Sequence, residues 1–253
     1  MLPWETVARA AGRDGAEWVL ARRGDEWVVR VAGRALMSSR QHGSEEALAA
    51  LALGKLPKGR RDPPGQRRGD RGGPTVLVGG LGLGFTLRAA LDRLPEDARV
   101  VVAELVPALV EWNRGPVAHL AGRPLDDPRT RLQQGDVLAR IAEAKGAFDA
   151  ILLDVDNGPS AVAVATNDRL YGEKGVRACR DALRSGGVLA VWSAGQDERY
   201  LGRLERAGLA TQVQAVPARE GTARGARHVV FLGVKEEAGS RSGSGLGSRS
   251  GSG

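Results

Sequence analysis

Apolar runs alternate with amphipathic stretches along most of this chain, and the alternation predicts its architecture. From Thr75 an apolar run, Val76-Leu77-Val78, feeds into Gly79, Gly80, Gly82 and Gly84. An amphipathic segment follows, then Val100-Val101-Val102, which ends at Glu104. This reads as strand, glycine turn, helix and strand. Pro107 to Trp112 predicts a helix with proline in its first turn, stopped at Gly115-Pro116. Arg129 to Gln133 predicts a short strand ending at Gly135-Asp136, and Val137 to Lys145 a helix closed by Gly146. Phe148 to Leu153 predicts a buried strand that runs into Asp154-Val155-Asp156-Asn157-Gly158-Pro159. A helix over Glu173 to Arg184 and a strand over Val188 to Trp192 follow, then a helix over Asp197 to Ala207. Leu209 to Val216 and His228 to Val234 read as two closing strands, expected to pair antiparallel. Strands alternating with helices predict an α/β fold, a Rossmann-like, doubly wound, mostly parallel sheet with helices on both faces.

Ahead of this pattern, residues 1–54 read as a small N-terminal β-rich lead-in. Glu17 to Ala21 and Glu26 to Val31 are short β-prone runs with a Gly24-Asp25 turn between them, and Ala35 to Ser38 suits a third strand. Ser44 is the expected N-cap of a helix that carries Glu45 and Glu46 in its first turn. Residues 55–74 read as a linker, 75–235 as the catalytic domain, and 236–253 as a Gly/Ser/Arg tail of too low complexity to order.

Composition adds exclusions. The one cysteine, Cys179, permits no internal disulfide and argues against a metal cluster, so no metal is expected. His119 and His228 have no partners at metal-ligand spacing. No run approaches the roughly 18 apolar residues of a membrane span, and the N-terminus lacks the apolar core of a signal peptide. A cytoplasmic protein with no membrane contact is the default. The +7 net charge resides mostly in Lys55 to Pro74, where seven basic residues face Asp62 and Asp70. That segment is rich in Gly and Pro and has no aromatic residue to stack on a base, so a solvated linker is expected and a nucleic-acid arm is not.

The candidate chemistry sits at the predicted strand ends, where open α/β sheets hold their ligands. Glycines let the backbone pass close to a ligand, a helix N-terminus offers free amides, and an acid about 20 residues further on suits ribose hydroxyls. A dinucleotide fingerprint would place its third small residue at Phe85, which is too bulky for close helix–strand packing. Gly80-x-Gly82-x-Gly84 instead matches the turn of S-adenosylmethionine-dependent enzymes. Glu104 is then the expected ribose ligand and Asp136 the partner of the adenine amino group. Asp156 is the preferred base or substrate anchor, Asn157 an orienting group, and Asp154 a partner of the donor amino group or a cap. His42 and Tyr171 are candidate acceptor contacts.

The stretch VLVGGLGLGFTLRAAL, with Thr86-Leu87-Arg88, resembles the spermidine synthase family motif V-L-x-I-G-G-G-D-G-G-T-L-R-E-x-L. ARVVVAELVPALVEW resembles the ribose-binding strand of that family, Phe148 to Asp154 its Y-D-V-I-I-x-D strand, and Leu183 to Leu189 its L-K-P-G-G strand entry. Met37 to Leu53 resembles the segment that joins the family's N-terminal β domain to its catalytic domain. The resemblance covers about residues 17–234. It implies the class I methyltransferase-type fold and a sulfonium donor, either S-adenosylmethionine or its decarboxylated form. The chain departs from the family where Leu83 replaces an acid of the glycine turn. It departs again where Asn157 takes the place of the second Asp of D-[ST]-[ST]-D-P, and where no Tyr occurs around Gln41 to Glu46. A polyamine needs carboxylates to offset its desolvation. These losses favour methyl transfer to another small-molecule acceptor. Aminopropyl transfer is the alternative, and a non-catalytic nucleoside-binding module a second alternative. The lead-in strands offer edges that could pair in a homodimer.

Overall fold

The computed structural model describes residues 2–12, 15–57, 72–155, 158–159, 169–218 and 226–236. Two sheets organise them. Strands β1 (Glu5–Ala11), β2 (Glu17–Arg23), β3 (Glu26–Val31) and β4 (Arg34–Ser38) form a four-stranded antiparallel sheet in sequential order. The larger sheet contains β5 (Thr75–Gly79), β6 (Arg99–Glu104), β7 (Thr130–Gln134), β8 (Phe148–Leu153), β9 (Leu183–Ser193), β10 (Leu209–Pro217) and β11 (Arg227–Lys235). Its order is β10-β11-β9-β8-β5-β6-β7. β5 to β9 run parallel, and β11 is antiparallel to both of its neighbours. The α/β reading and the antiparallel closing pair therefore hold.

Each central strand is apolar at successive positions because both of its faces are covered. Val76, Val78, Val100, Val102, Ala150 and Leu152 face one layer, which contains α1 (Gly43–Gly54) and α2 (Phe85–Leu91). Leu77, Val101, Ile151, Leu153, Leu189 and Val191 face the other. That layer contains α4 (Val137–Glu143), α5 (Glu173–Ala182) and α6 (Glu198–Arg206), while α3 (Pro107–Arg114) packs beside β6. The chain leaves β5 towards β6 and β7, then returns to β8 on the other side of β5. The sheet order thus reverses between β5 and β8, the position at which such sheets open a ligand crevice.

Several local expectations change. β1 was not expected from the sequence. β9 begins at Leu183, five residues before its apolar run, so α5 stops at Ala182. α4 ends at Glu143, with Ala144 extended beyond it. Ser44 is not the cap of α1: His42 holds that position, and Ser44 is the buried second residue of the helix, its Oγ 2.9 Å from His228 Nδ1. By packing, α1 belongs to the large sheet. Its Leu48, Ala49 and Ala52 are fully buried, and it lies on α2 and β8 to β11.

Candidate functional site

The glycine turn leaves β5 at the reversal point. Gly80 (φ +88°) passes so close to β8 that a Cβ there would stand 2.3 Å from the Asp154 carbonyl oxygen. No side chain fits, so the turn and the end of β8 form one unit. Gly84 (φ +90°) takes the cap position of α2, which begins at Phe85.

Glu104 ends β6 beside this turn and is buried. Its carboxylate accepts from Leu81 N at 2.8 Å and from Val106 N at 2.7 Å. Burial raises its pKa, and the amides of Val106, Leu81, Leu105 and Gly82 pull it partly back. The two hydrogen bonds fix both carboxylate oxygens, Oε2 to Leu81 N and Oε1 to Val106 N. Asp154 lies across the crevice. Thr86 Oγ1, in the first turn of α2, donates to Asp154 Oδ2 at 2.7 Å, which ties the glycine turn to β8 a second time. Burial raises the Asp154 pKa against the effect of that hydroxyl.

The remaining sequence candidates divide. Asp136 is exposed at the end of β7 and caps α4, where its Oδ1 accepts from Leu138 N at 2.9 Å. His42 stacks on Phe85, centroids 4.1 Å apart, with its Nδ1 2.8 Å from Glu46 Oε1. It is the cap residue by position, but its side chain makes no capping bond. Tyr171 is 2% exposed and packs edge-on against Tyr200. Its hydroxyl donates to the Val155 carbonyl at 3.0 Å, so it holds the segment after β8 from within the core. Asp156 and Asn157 lie outside the described residues.

Leu83 has a role that sequence reasoning missed. It is 3% exposed in a cluster with Leu20, Trp27 and Val29 of the small sheet and with Phe85, Leu109 and Trp112. The turn residue that stands for the family's acid therefore packs the small sheet against the glycine turn. Two surface cavities, of about 510 and 790 Å³, lie elsewhere, one at α6 and one along β7. Both are arginine-lined clefts, and neither is lined by Glu104, Asp136 or Asp154.

No family model matches the chain. A polyamine aminopropyltransferase of Nitrosomonas europaea is 37% identical over 116 residues, 46% of this chain and 34% of that protein. Another, from Thermoanaerobacter sp. (strain X514), is 35% identical over 119 residues, 46% of this chain and 40% of that protein. The matches thus span little more than a third of the relatives' length. Spermidine synthase from Thermotoga maritima aligns with a TM-score of 0.67 at 19% identity, over 91% of this chain and 72% of that one. A spermidine synthase in complex with the transition state analogue AdoDATO aligns at 0.66 and 18% identity, over the same shares. The chain is thus spermidine synthase-like in fold, including the small antiparallel sheet. The expectation of methyl transfer finds no support in these relatives, whose names favour its alternative. The inference from Leu83 fails for a physical reason: that side chain is packed into a core cluster and says nothing about the acceptor.

Proposed function

We propose that this protein transfers an aminopropyl group from decarboxylated S-adenosylmethionine to a small-molecule amine. The observation that carries the reading is Asp154: a half-buried carboxylate at the sheet's reversal point, bonded to Thr86 and forming no ion pair with Lys or Arg among the described residues. S-adenosylmethionine would bring its own carboxylate to this crevice and be repelled. The decarboxylated donor brings only an ammonium group, which a half-buried carboxylate without a cationic partner attracts. The relatives' names support the same choice.

In this reading Glu104 accepts from the ribose hydroxyls, with its carboxylate pre-oriented by the turn amides. Asp136 accepts from the adenine amino group through whatever capacity its capping bond leaves. Asp154 holds the donor's ammonium. The chemistry needs little from the protein, because the sulfonium is already an activated leaving group. A neutral amine nitrogen attacks the carbon next to sulfur, the N–C bond forms as the C–S bond breaks, and a thioether leaves. The product ammonium then releases a proton. Asp156 is the proposed acceptor of that proton, with Asn157 orienting the amine.

The test is to supply each donor with 1,4-diaminobutane and separate the products by mass. The expected outcome is 5′-methylthioadenosine and an aminopropylated amine from the decarboxylated donor. S-adenosylhomocysteine, formed from S-adenosylmethionine alone, would restore methyl transfer. Glu104→Ala should weaken binding of 5′-methylthioadenosine by roughly tenfold or more, the scale of a lost charge-assisted hydrogen bond.

A further inference from the structure

The larger of the two clefts, about 790 Å³, lies at the opposite end of the sheet from the donor crevice. Its walls include Thr75, Arg99 and Phe148, the first residues of β5, β6 and β8. Glu104 is the last residue of β6, so the length of the strand separates it from Arg99 by roughly 17 Å. Thr75 pairs with Arg99, and Val101 with Arg131, so these four side chains stand on one face of the sheet. It is the face of α4, which has only seven residues, and β7 is the edge strand. The cleft is left open beside them.

Five of the lining residues are arginines, Arg99, Arg114, Arg131, Arg140 and Arg184, and none is an acid. They come from β6, α3, β7, α4 and β9 in turn. Arg184 is bonded to the Asp149 carboxylate. Arg131 Nη1 donates to the carbonyls of Pro128 and Thr130, at 2.6 and 2.9 Å. Arg140 has the Glu143 carboxylate no nearer than 3.9 Å, and its guanidinium stands 5.8 Å from the centre of the Phe148 ring. Its Nε is shut off from solvent and donates to nothing. Among the described residues Arg99 and Arg114 form no ion pair. Charge on an edge strand also deters other strands from pairing there. That role needs Arg131 alone. It does not account for arginines gathered from four further elements, or for a guanidinium nitrogen that has lost water and gained no acceptor.

We propose that this cleft is a second ligand site, for a small molecule that carries a di- or triphosphate chain, with Arg140 Nε among its donors. A guanidinium presents a planar fork of donors that matches phosphate oxygens in pairs. The volume is that of a small-molecule site and far exceeds what one phosphate fills. Arginines on five elements suit a chain of phosphates better than a single anion. The site shares no residue with the donor crevice and does not depend on the aminopropyl reading.

Calorimetric titration of the full chain with sodium tripolyphosphate tests the site. It is run in about 150 mM salt, where diffuse attraction to a basic protein is largely screened. Saturable one-to-one binding is expected. Arg140→Gln should weaken it about tenfold, the scale of one lost charge-assisted hydrogen bond. Arg123→Gln removes the same charge from an exposed pair with Asp126 outside the cleft, and should leave the affinity unchanged. Should Arg140→Gln not fold, Arg99→Gln, which loses no ion pair, carries the test with the same expectation. Binding should persist in excess 5′-methylthioadenosine, and a failure of that nucleoside to bind concerns the donor reading alone. A nucleoside triphosphate, titrated with the nucleoside present, separates the sources of the phosphate. Equal or weaker affinity than tripolyphosphate assigns the site to the free phosphate chain, and tighter binding assigns it to a nucleotide; either sustains the proposal. No saturable binding, unchanged affinity in the cleft variant, equal weakening by Arg123→Gln, or displacement by 5′-methylthioadenosine overturns it. So does a single-stranded oligonucleotide that binds far more tightly than tripolyphosphate and weakens with the same variants, which would make the cleft part of a nucleic-acid surface.

Discussion

Leu83 shows how one residue can mislead in sequence and inform in structure. In the sequence it reads as a missing acid and hence as evidence about the substrate. In the fold it is a core residue that happens to sit in the glycine turn, in one cluster with Trp27, Phe85 and Trp112. Leu83→Ala should therefore cost about 2–5 kcal/mol of stability, the range for truncating a buried leucine. Leu83→Asp, which puts back the acid that the look-alike motif carries, should cost more, since the new charge would be buried without a partner. Urea unfolding checks both, and a loss within about 0.5 kcal/mol for the alanine variant would place Leu83 at an ordinary surface site. The place of Glu104 at the end of β6 was legible because its spacing follows from the strand–turn–helix–strand pattern. The role of Leu83 was not, because its partners on β2 and β3 are some sixty residues away in the chain.

At the scale of elements, the entry to β7 is held by one arginine. Arg129 gives Nε and Nη2 to the two carboxylate oxygens of Asp127, at 2.9 and 2.7 Å, and Nη1 to the carbonyls of Leu91 and Leu94 at 2.9 and 2.8 Å. The clamp joins the end of α2 to the start of β7, and it holds the Asp127 carboxyl at about 2 against an ordinary 3.8. A depressed acid stabilises the fold above its unfolded pKa and ceases to as it is protonated. The Asp127 contribution should thus be complete above about pH 4 and disappear as pH falls towards 2. Asp127→Asn should remove that part of the acid sensitivity, read as the variant's difference from wild type in unfolding midpoints between pH 5 and 2. An unchanged difference across this window would show that the pair is too solvated to matter. Glu45, Glu104 and Asp154, with raised pKa values, act in the opposite direction, which is why the comparison must be made between variants. The elements themselves were readable where burial on both sheet faces forces unbroken apolar runs, as in β5, β6 and β8. β1 was not, because ETVARAA is mostly exposed and carries small residues at its half-buried positions. The start of β9 was hidden by Ser185-Gly186-Gly187, where pairing with β8 shifts register.

For the whole molecule, the alternating pattern foretold the doubly wound sheet and the small sheet before it, but not how the two meet. They meet on the glycine turn, through Leu20, Trp27 and Val29 on one side and Leu83, Phe85 and Leu109 on the other. Removal of residues 1–38 should therefore uncover an apolar patch on the very loop proposed to bind the donor. The shortened protein should bind a hydrophobic dye and self-associate, and should lose affinity for 5′-methylthioadenosine. If it elutes as a dye-silent monomer that still binds the nucleoside, the small sheet is an accessory. No helix among the described residues is long and apolar enough to cross a membrane. The placement of α1 has a consequence in time. This helix is early in the chain, yet it docks on β9, β10 and β11, and its bond from Ser44 to His228 closes a span of 184 residues. At 5–20 residues per second a ribosome needs roughly 10 to 40 s to make that span. For much of that interval α1 has only α2 and β8 to rest on, without β9, β10 and β11. The first turn of α1 is therefore among the last parts of the protein to be set, and a stalled or shortened chain would leave it without its contact to His228.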